Sequence, residues 1–190
     1  MLAVGRAGGA VGDTHRVPPN LYRFHSTWPV ACSTAVAFEV LSDLGSYPLW
    51  WPEVKQAVKV DDRCARLHCR SLLPYELVFQ ARHNTQDPDR GLLVADLTGD
   101  LDGTVGWRIE ADGERTRLVY EQVVTVRKPL LRKLGVVARP ALVANHELMM
   151  RHGQRGLYTY LAGFHAGRHQ HPEPPHPEHG QTRQTPQAPQ

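Results

Sequence analysis

The chain has 190 residues, 41% of them hydrophobic and 22% charged, which suits one globular domain large enough to bury a core. Its 22 basic residues against 19 acidic ones leave a formal charge of +3, scattered and too weak to attract nucleic acid as a partner. The longest apolar runs, at 135–138 and 141–144, fall far short of the roughly 18 to 20 residues that a membrane-spanning helix needs.

Residues 1–19 hold Arg6, several glycines and a closing Pro18-Pro19. They read as a flexible leader and not as a secretory signal, whose apolar centre would be unbroken, so a cytoplasmic location is expected. Leu21 to Val30 then carries Tyr22, Phe24, Thr27 and Trp28 in alternation, which predicts a strand that Pro29 ends. Ser33 is a good N-cap for a short helix over 34–41, where Val36, Val40 and Leu41 recur at helical spacing. Gly45-Ser46-Tyr47-Pro48 breaks that helix, and Leu49-Trp50-Trp51-Pro52 follows as an aromatic turn or second short helix before Val54.

From Val54 to Thr125 the period changes to two. Turn residues at 61–62, 73–74, 87–89, 100–103 and 112–113 divide this stretch into six further antiparallel strands. Alternation places Tyr75, Leu77 and Phe79 on one face and Val105, Trp107 and Ile109 likewise. After Pro140 the period is helical to about Leu161, with a stripe of Leu142, His146, Met149, Gly153, Leu157 and Tyr160. A glycine inside a helix costs about 1 kcal/mol relative to alanine, so something beside Gly153 needs room. From 166 onward Pro, Gln and His dominate and only Ala166 and Ala188 are apolar. That stretch cannot bury enough surface to offset its ordering entropy, and it reads as a disordered tail whose His169, His171, His176 and His179 have at most adventitious metal affinity. The folded domain is therefore 20–165.

This order, strand, two short helices, six strands and a long C-terminal helix, together with Asp43, Tyr47, Trp50-Trp51-Pro52, Leu73-Pro74-Tyr75, Gly99 to Gly103 with Trp107 and the Met149-Met150 helix, resembles the polyketide cyclase/dehydrase and START-like (SRPBCC) superfamily. Its relatives include coenzyme Q-binding and lipid-transfer proteins. The resemblance covers about residues 20–163 and implies an α+β helix-grip fold. In it a seven-stranded curved antiparallel sheet wraps the last helix and leaves a cavity for a hydrophobic ligand. It implies such a cavity more firmly than any reaction, because one fold hosts many functions.

His146 falls on the apolar stripe, where a neutral imidazole could bond a ligand carbonyl or act as a general base. The plainer reading is a packed histidine bonded to a strand. Tyr47, Trp50 and Trp51 stand where the superfamily places a helical lid, and either contact a ligand or plug the end of the sheet. Two adjacent tryptophans cannot both point inward from one short helix, so at least one packs as structure. Tyr75, Phe79, Trp107 and Tyr120, with Met149, Met150, Gly153 and Leu157 of the helix, line the expected cavity or simply pack sheet against helix. Arg108 and Glu121 face the opposite way and read as a solvated pair.

Residues 127–139 carry Arg127, Lys128, Arg132, Lys133 and Arg139 with no acid among Leu130, Leu131, Leu134, Val136 and Val137. Such a segment either touches an anionic membrane surface transiently or completes the core as a surface helix. Three cysteines, Cys32, Cys64 and Cys69, without a C-x-x-C pair argue against disulfides and structural zinc. His146 and His152 lie about 240° apart on a helix and share no face, so no metal site is expected there. No Gly-rich phosphate loop, G-x-S-x-G elbow or H-E-x-x-H pair occurs, and no cofactor is expected. Three functions stay open: a carrier or binding protein for a lipid, isoprenoid, quinone or polyketide-like molecule; an aromatase/cyclase-type enzyme; and a surface-interaction protein whose cavity is filled. Oligomeric state is not readable from the sequence.

Overall fold

A computed structural model describes residues 20–70 and 73–168. Strand β1 (Leu21–Val30) leads to helix α1 (Thr34–Ser42), a 3-10 turn (Leu44–Ser46) and helix α2 (Tyr47–Trp50). Strands β2 (Val54–Asp61), β3 (Cys64–Arg70), β4 (Glu76–Asp87), β5 (Leu92–Gly99), β6 (Leu101–Asp112) and β7 (Arg115–Val126) follow, and helix α3 (Pro129–Arg168) closes the chain. The strands form one antiparallel sheet in the order β1-β7-β6-β5-β4-β3-β2. This is the α+β helix-grip arrangement expected from the sequence.

Local chemistry accounts for most boundaries. The Ser33 side chain accepts from the Val36 amide at 3.3 Å and starts α1, while Asp43 accepts from the Gly45 amide at 3.0 Å and starts the 3-10 turn. Pro29 does not end β1, which continues to Val30. The strand is at the sheet edge, where a missing amide proton removes no ladder bond on the open side. On the inner face Leu41, Leu93, Leu118, Leu157 and Val30 are fully buried. Thr116 is buried with them because its hydroxyl donates to the Cys32 carbonyl at 2.6 Å. Arg108 and Glu121 stay on the outer face, 3.9 Å apart and exposed.

Helix α3 is longer than the periodicity suggests, beginning at Pro129 and carrying Pro140 inside it. A proline there removes one helical hydrogen bond, but the neighbouring Arg139 ties this stretch to the sheet. Its guanidinium donates to the Leu21 carbonyl at 3.1 Å and lies 4.7 Å over the Tyr22 ring. The helix runs past residue 165 to Arg168. The expected leader (1–19) and residues 169–190 of the expected tail lie outside the described residues. Among the described residues no helix is long and apolar enough to cross a membrane.

Candidate ligand cavity

The inward side chains of the sheet and the inner stripe of α3 do not meet everywhere, and a cavity of about 160 Å³ remains between them. Its wall is built by strand parity. On β4 the positions 77, 79, 81 and 83 turn inward, on β6 positions 105 and 107, and on β7 positions 120, 122, 124 and 126. Asn145, His146, Met149 and Met150 close it from α3, and Tyr47 and Trp51 from the α2 region. The described lining contains no Asp, Glu, Lys or Arg.

Nine of the site residues read from the sequence line this cavity: Tyr47, Trp51, Tyr75, Phe79, Trp107, Tyr120, His146, Met149 and Met150. Trp50, Gly153 and Leu157 do not. Both tryptophans are buried, but Trp51 meets the cavity and Trp50 does not. The reason is that α2 ends between them. Trp51 leaves on extended backbone (φ −108°, ψ 99°), so its ring is released from helical geometry. Trp51 then stacks on Trp50 with centroids 5.3 Å apart, and its indole N–H donates to the Met149 carbonyl at 3.1 Å.

Trp50 packs as structure. The room that Gly153 was expected to provide is occupied by Trp51, since a Cβ on Gly153 would stand 2.7 Å from the indole. Gly156, one turn on, receives the Trp50 carbonyl in the same way, 1.7 Å from where a Cβ would be. Leu157 lies in the apolar layer behind the cavity wall.

Aromatic rings continue across the sheet. Trp28 meets Trp51 and Trp107 edge-on at 5.9 and 4.9 Å, and Trp107 packs on Tyr120 at 4.8 Å. The Tyr120 hydroxyl donates to Gln122 Oε1 at 3.0 Å, and the same oxygen stands 3.1 Å from His146 Nε2. A carbonyl oxygen only accepts, so this network assigns the imidazole proton to Nε2 and the lone pair to Nδ1. Phe24 stacks on the imidazole with centroids 3.5 Å apart. Burial pushes His146 down to about 4, so it is neutral at physiological pH. Burial likewise raises Tyr120 and Tyr47, whose hydroxyl donates to the Leu41 carbonyl at 3.0 Å.

Sequence reasoning missed three polar lining residues. Gln122 shares the parity of Tyr120, and Asn145 follows Leu142 by one helical turn, its amide N–H 3.4 Å from the Tyr75 hydroxyl. His83 continues the inward parity of Leu77, Phe79 and Ala81 on β4. In each case the periodicity was visible, but no partner on the same element drew attention to the residue.

Behind the wall, Glu53 is buried and accepts from or pairs with His152 Nδ1 at 2.6 Å. Burial, with the nearby Glu53 carboxylate, pushes the Cys69 thiol up to about 12, so it behaves as an inert apolar group. Among the described residues no three His, Cys, Asp or Glu side chains gather into a metal site. In the 127–139 segment Arg127 pairs with Asp102 at 2.6 Å, Lys128 with Asp100 at 3.2 Å, and Arg139 with β1. Val137 is 91% exposed, and the side chains of Arg132 and Lys133 lie outside the described residues.

Residues 22–157 match the family model described as polyketide cyclase / dehydrase and lipid transport. The chain belongs to that family. The SRPBCC/START-like fold of this polyketide cyclase/dehydrase and lipid-transport family member is similar to that of several solved structures. One is the Zhui aromatase/cyclase from Streptomyces sp. R1128, 20% identical, covering 74% of this chain and 93% of that one at a TM-score of 0.60. Another is a START superfamily protein from Mycobacterium smegmatis, 19% identical, covering 75% of this chain and 98% of that one at 0.59. A third is the ginseng major latex-like protein 151 from Panax ginseng, 6% identical, covering 74% and 97% at 0.56. At these identities the likeness is one of fold. No curated protein matches the chain in sequence.

Proposed function

We propose that the domain binds a small hydrophobic molecule between its sheet and α3 and acts as a carrier or binding protein, with the cytoplasm as the compartment its sequence suggests. The observation that carries this reading is the wall itself: it is apolar and aromatic, lacks charged side chains among the described residues, and ties Tyr47, Trp51, Tyr120, Gln122, Asn145 and His146 into hydrogen bonds within the protein. At about 160 Å³ the cavity resembles in size an engineered dry cavity of about 150 Å³ that accepts benzene. A single-ring ligand fits this conformation. An isoprenoid, quinone or polyketide chain exceeds this volume and would extend beyond the cavity.

The aromatase/cyclase reading rests on one observation, the neutral His146 with a lone pair at Nδ1, which suits a general base. It lacks a carboxylate to orient the imidazole; Gln122 does so instead. The membrane contact considered for 127–139 is not part of the proposal, because Arg127, Lys128 and Arg139 are engaged within the fold.

The deciding experiment is native mass spectrometry of the protein from its own host, followed by extraction and identification of the co-purified small molecule. A stoichiometric lipid, isoprenoid or quinone supports the carrier reading. A polyketide-like aromatic turns it toward cyclisation, and an empty protein favours a surface-interaction role.

A further inference from the structure

His83 differs from every other polar side chain just named on the cavity wall. It is 5% exposed, and neither Nδ1 nor Nε2 has a hydrogen-bond partner. Backbone groups of Val94 and Ser42 lie near enough to raise the ring's proton affinity but do not reach hydrogen-bond geometry, and the larger influence is burial, which lowers it. A neutral imidazole carries one N–H donor and one lone-pair acceptor, and leaving both unmade in an apolar site is unfavourable.

The ring lines the cavity, and its neighbours on the wall are small. Its cross-strand partner is Ala95, and the preceding inward residue on β4 is Ala81. Immediately after His83 the β4–β5 register shifts, a bulge of the kind that re-aims a side chain. His83 is also six residues further along β4 than Leu77, roughly 20 Å at strand rise. It therefore serves a different part of the wall from the Tyr75–Asn145 contact, which lies beside the start of β4.

We propose that His83 is the polar anchor of the ligand site, hydrogen-bonding a hydroxyl or carbonyl oxygen on an otherwise apolar ligand. A hydroxyl is matched by either ring nitrogen, a carbonyl by the N–H alone. This assignment rests on reading the cavity as a ligand site, and it narrows the ligand class from any hydrophobic molecule to one with an oxygen function at the end that reaches Ala81 and Ala95.

The test compares p-cresol with p-xylene, which differ by a hydroxyl in place of a methyl group, by calorimetry on the full chain and on His83→Phe. The expected result is that both compounds bind both proteins and that the substitution shifts the preference about tenfold toward p-xylene. An unchanged preference overturns the anchor while leaving the cavity reading intact. Failure of both compounds to bind the unaltered protein overturns the anchor and the cavity reading together. Should His83→Phe not fold, the histidine ring ¹⁵N shifts of the unaltered protein decide: a change at His83 on saturation with p-cresol but not p-xylene supports the anchor, and no change overturns it.

Discussion

Gly153 of α3 lies against the indole of Trp51, so close that a Cβ would stand 2.7 Å from Cε2. The ring cannot simply retreat, because Trp51 is buried, stacked on Trp50 and bonded to the Met149 carbonyl. Gly153→Ala gains helix propensity of about 1 kcal/mol but overpacks this contact, which typically costs about 1 to 3 kcal/mol. Gly156→Ala meets the backbone oxygen of Trp50 at 1.7 Å, and backbone yields less readily than a side chain. The expected order in thermal melts is a small loss for Gly153→Ala and a larger one for Gly156→Ala. Equal melting temperatures for both and the parent would contradict the α2–α3 contact.

His146 makes stability depend on pH. Its folded value, about 4, lies below the ordinary 6.5, so the unfolded chain binds the proton first. The stabilisation is complete above about pH 6.5 and is lost as pH falls toward 4. His83, also lowered by burial, acts in the same direction. Melting temperature followed from pH 7 to pH 4 should fall less steeply in His146→Phe than in the parent. If the same variant keeps its melting temperature at pH 7 but loses its ligand, the imidazole serves binding and not packing.

Leu157 separates core from cavity. It is 1% exposed and does not touch the cavity, so Leu157→Ala should lower stability by about 2 to 5 kcal/mol in denaturant titration. The affinity of the folded variant for a cavity probe such as p-xylene should stay within about twofold, well under the tenfold that 1.4 kcal/mol represents. A large affinity loss would place Leu157 in the ligand site.

Glu53 and His152 form a partly buried pair 2.6 Å apart, and Glu53 Oε2 has no partner. Removing His152 leaves a buried carboxylate alone, which is costlier than removing both groups. A double-mutant cycle with Glu53→Gln and His152→Ala should give a coupling energy of about 0.5 to 3 kcal/mol. A coupling near zero would mean that the pair does not hold the α2–β2 turn to α3.

The sequence by itself determined the order of elements and the face of each strand, because side-chain alternation is a local property of extended backbone. Tyr75, Phe79, Trp107 and Tyr120 were legible in that way, and the family pattern supplied the helix that covers them. Tertiary structure alone decided the partners. Gln122 joins Tyr120 to His146 across 24 residues of chain, and Trp51 reaches Met149 across 98. It also decided that Trp51 and not Trp50 meets the cavity, since that depends on α2 ending between them, and that the His83 ring, which lines the cavity, is left without a hydrogen-bond partner. Periodicity says which way a side chain points; only packing of distant elements says what it finds there.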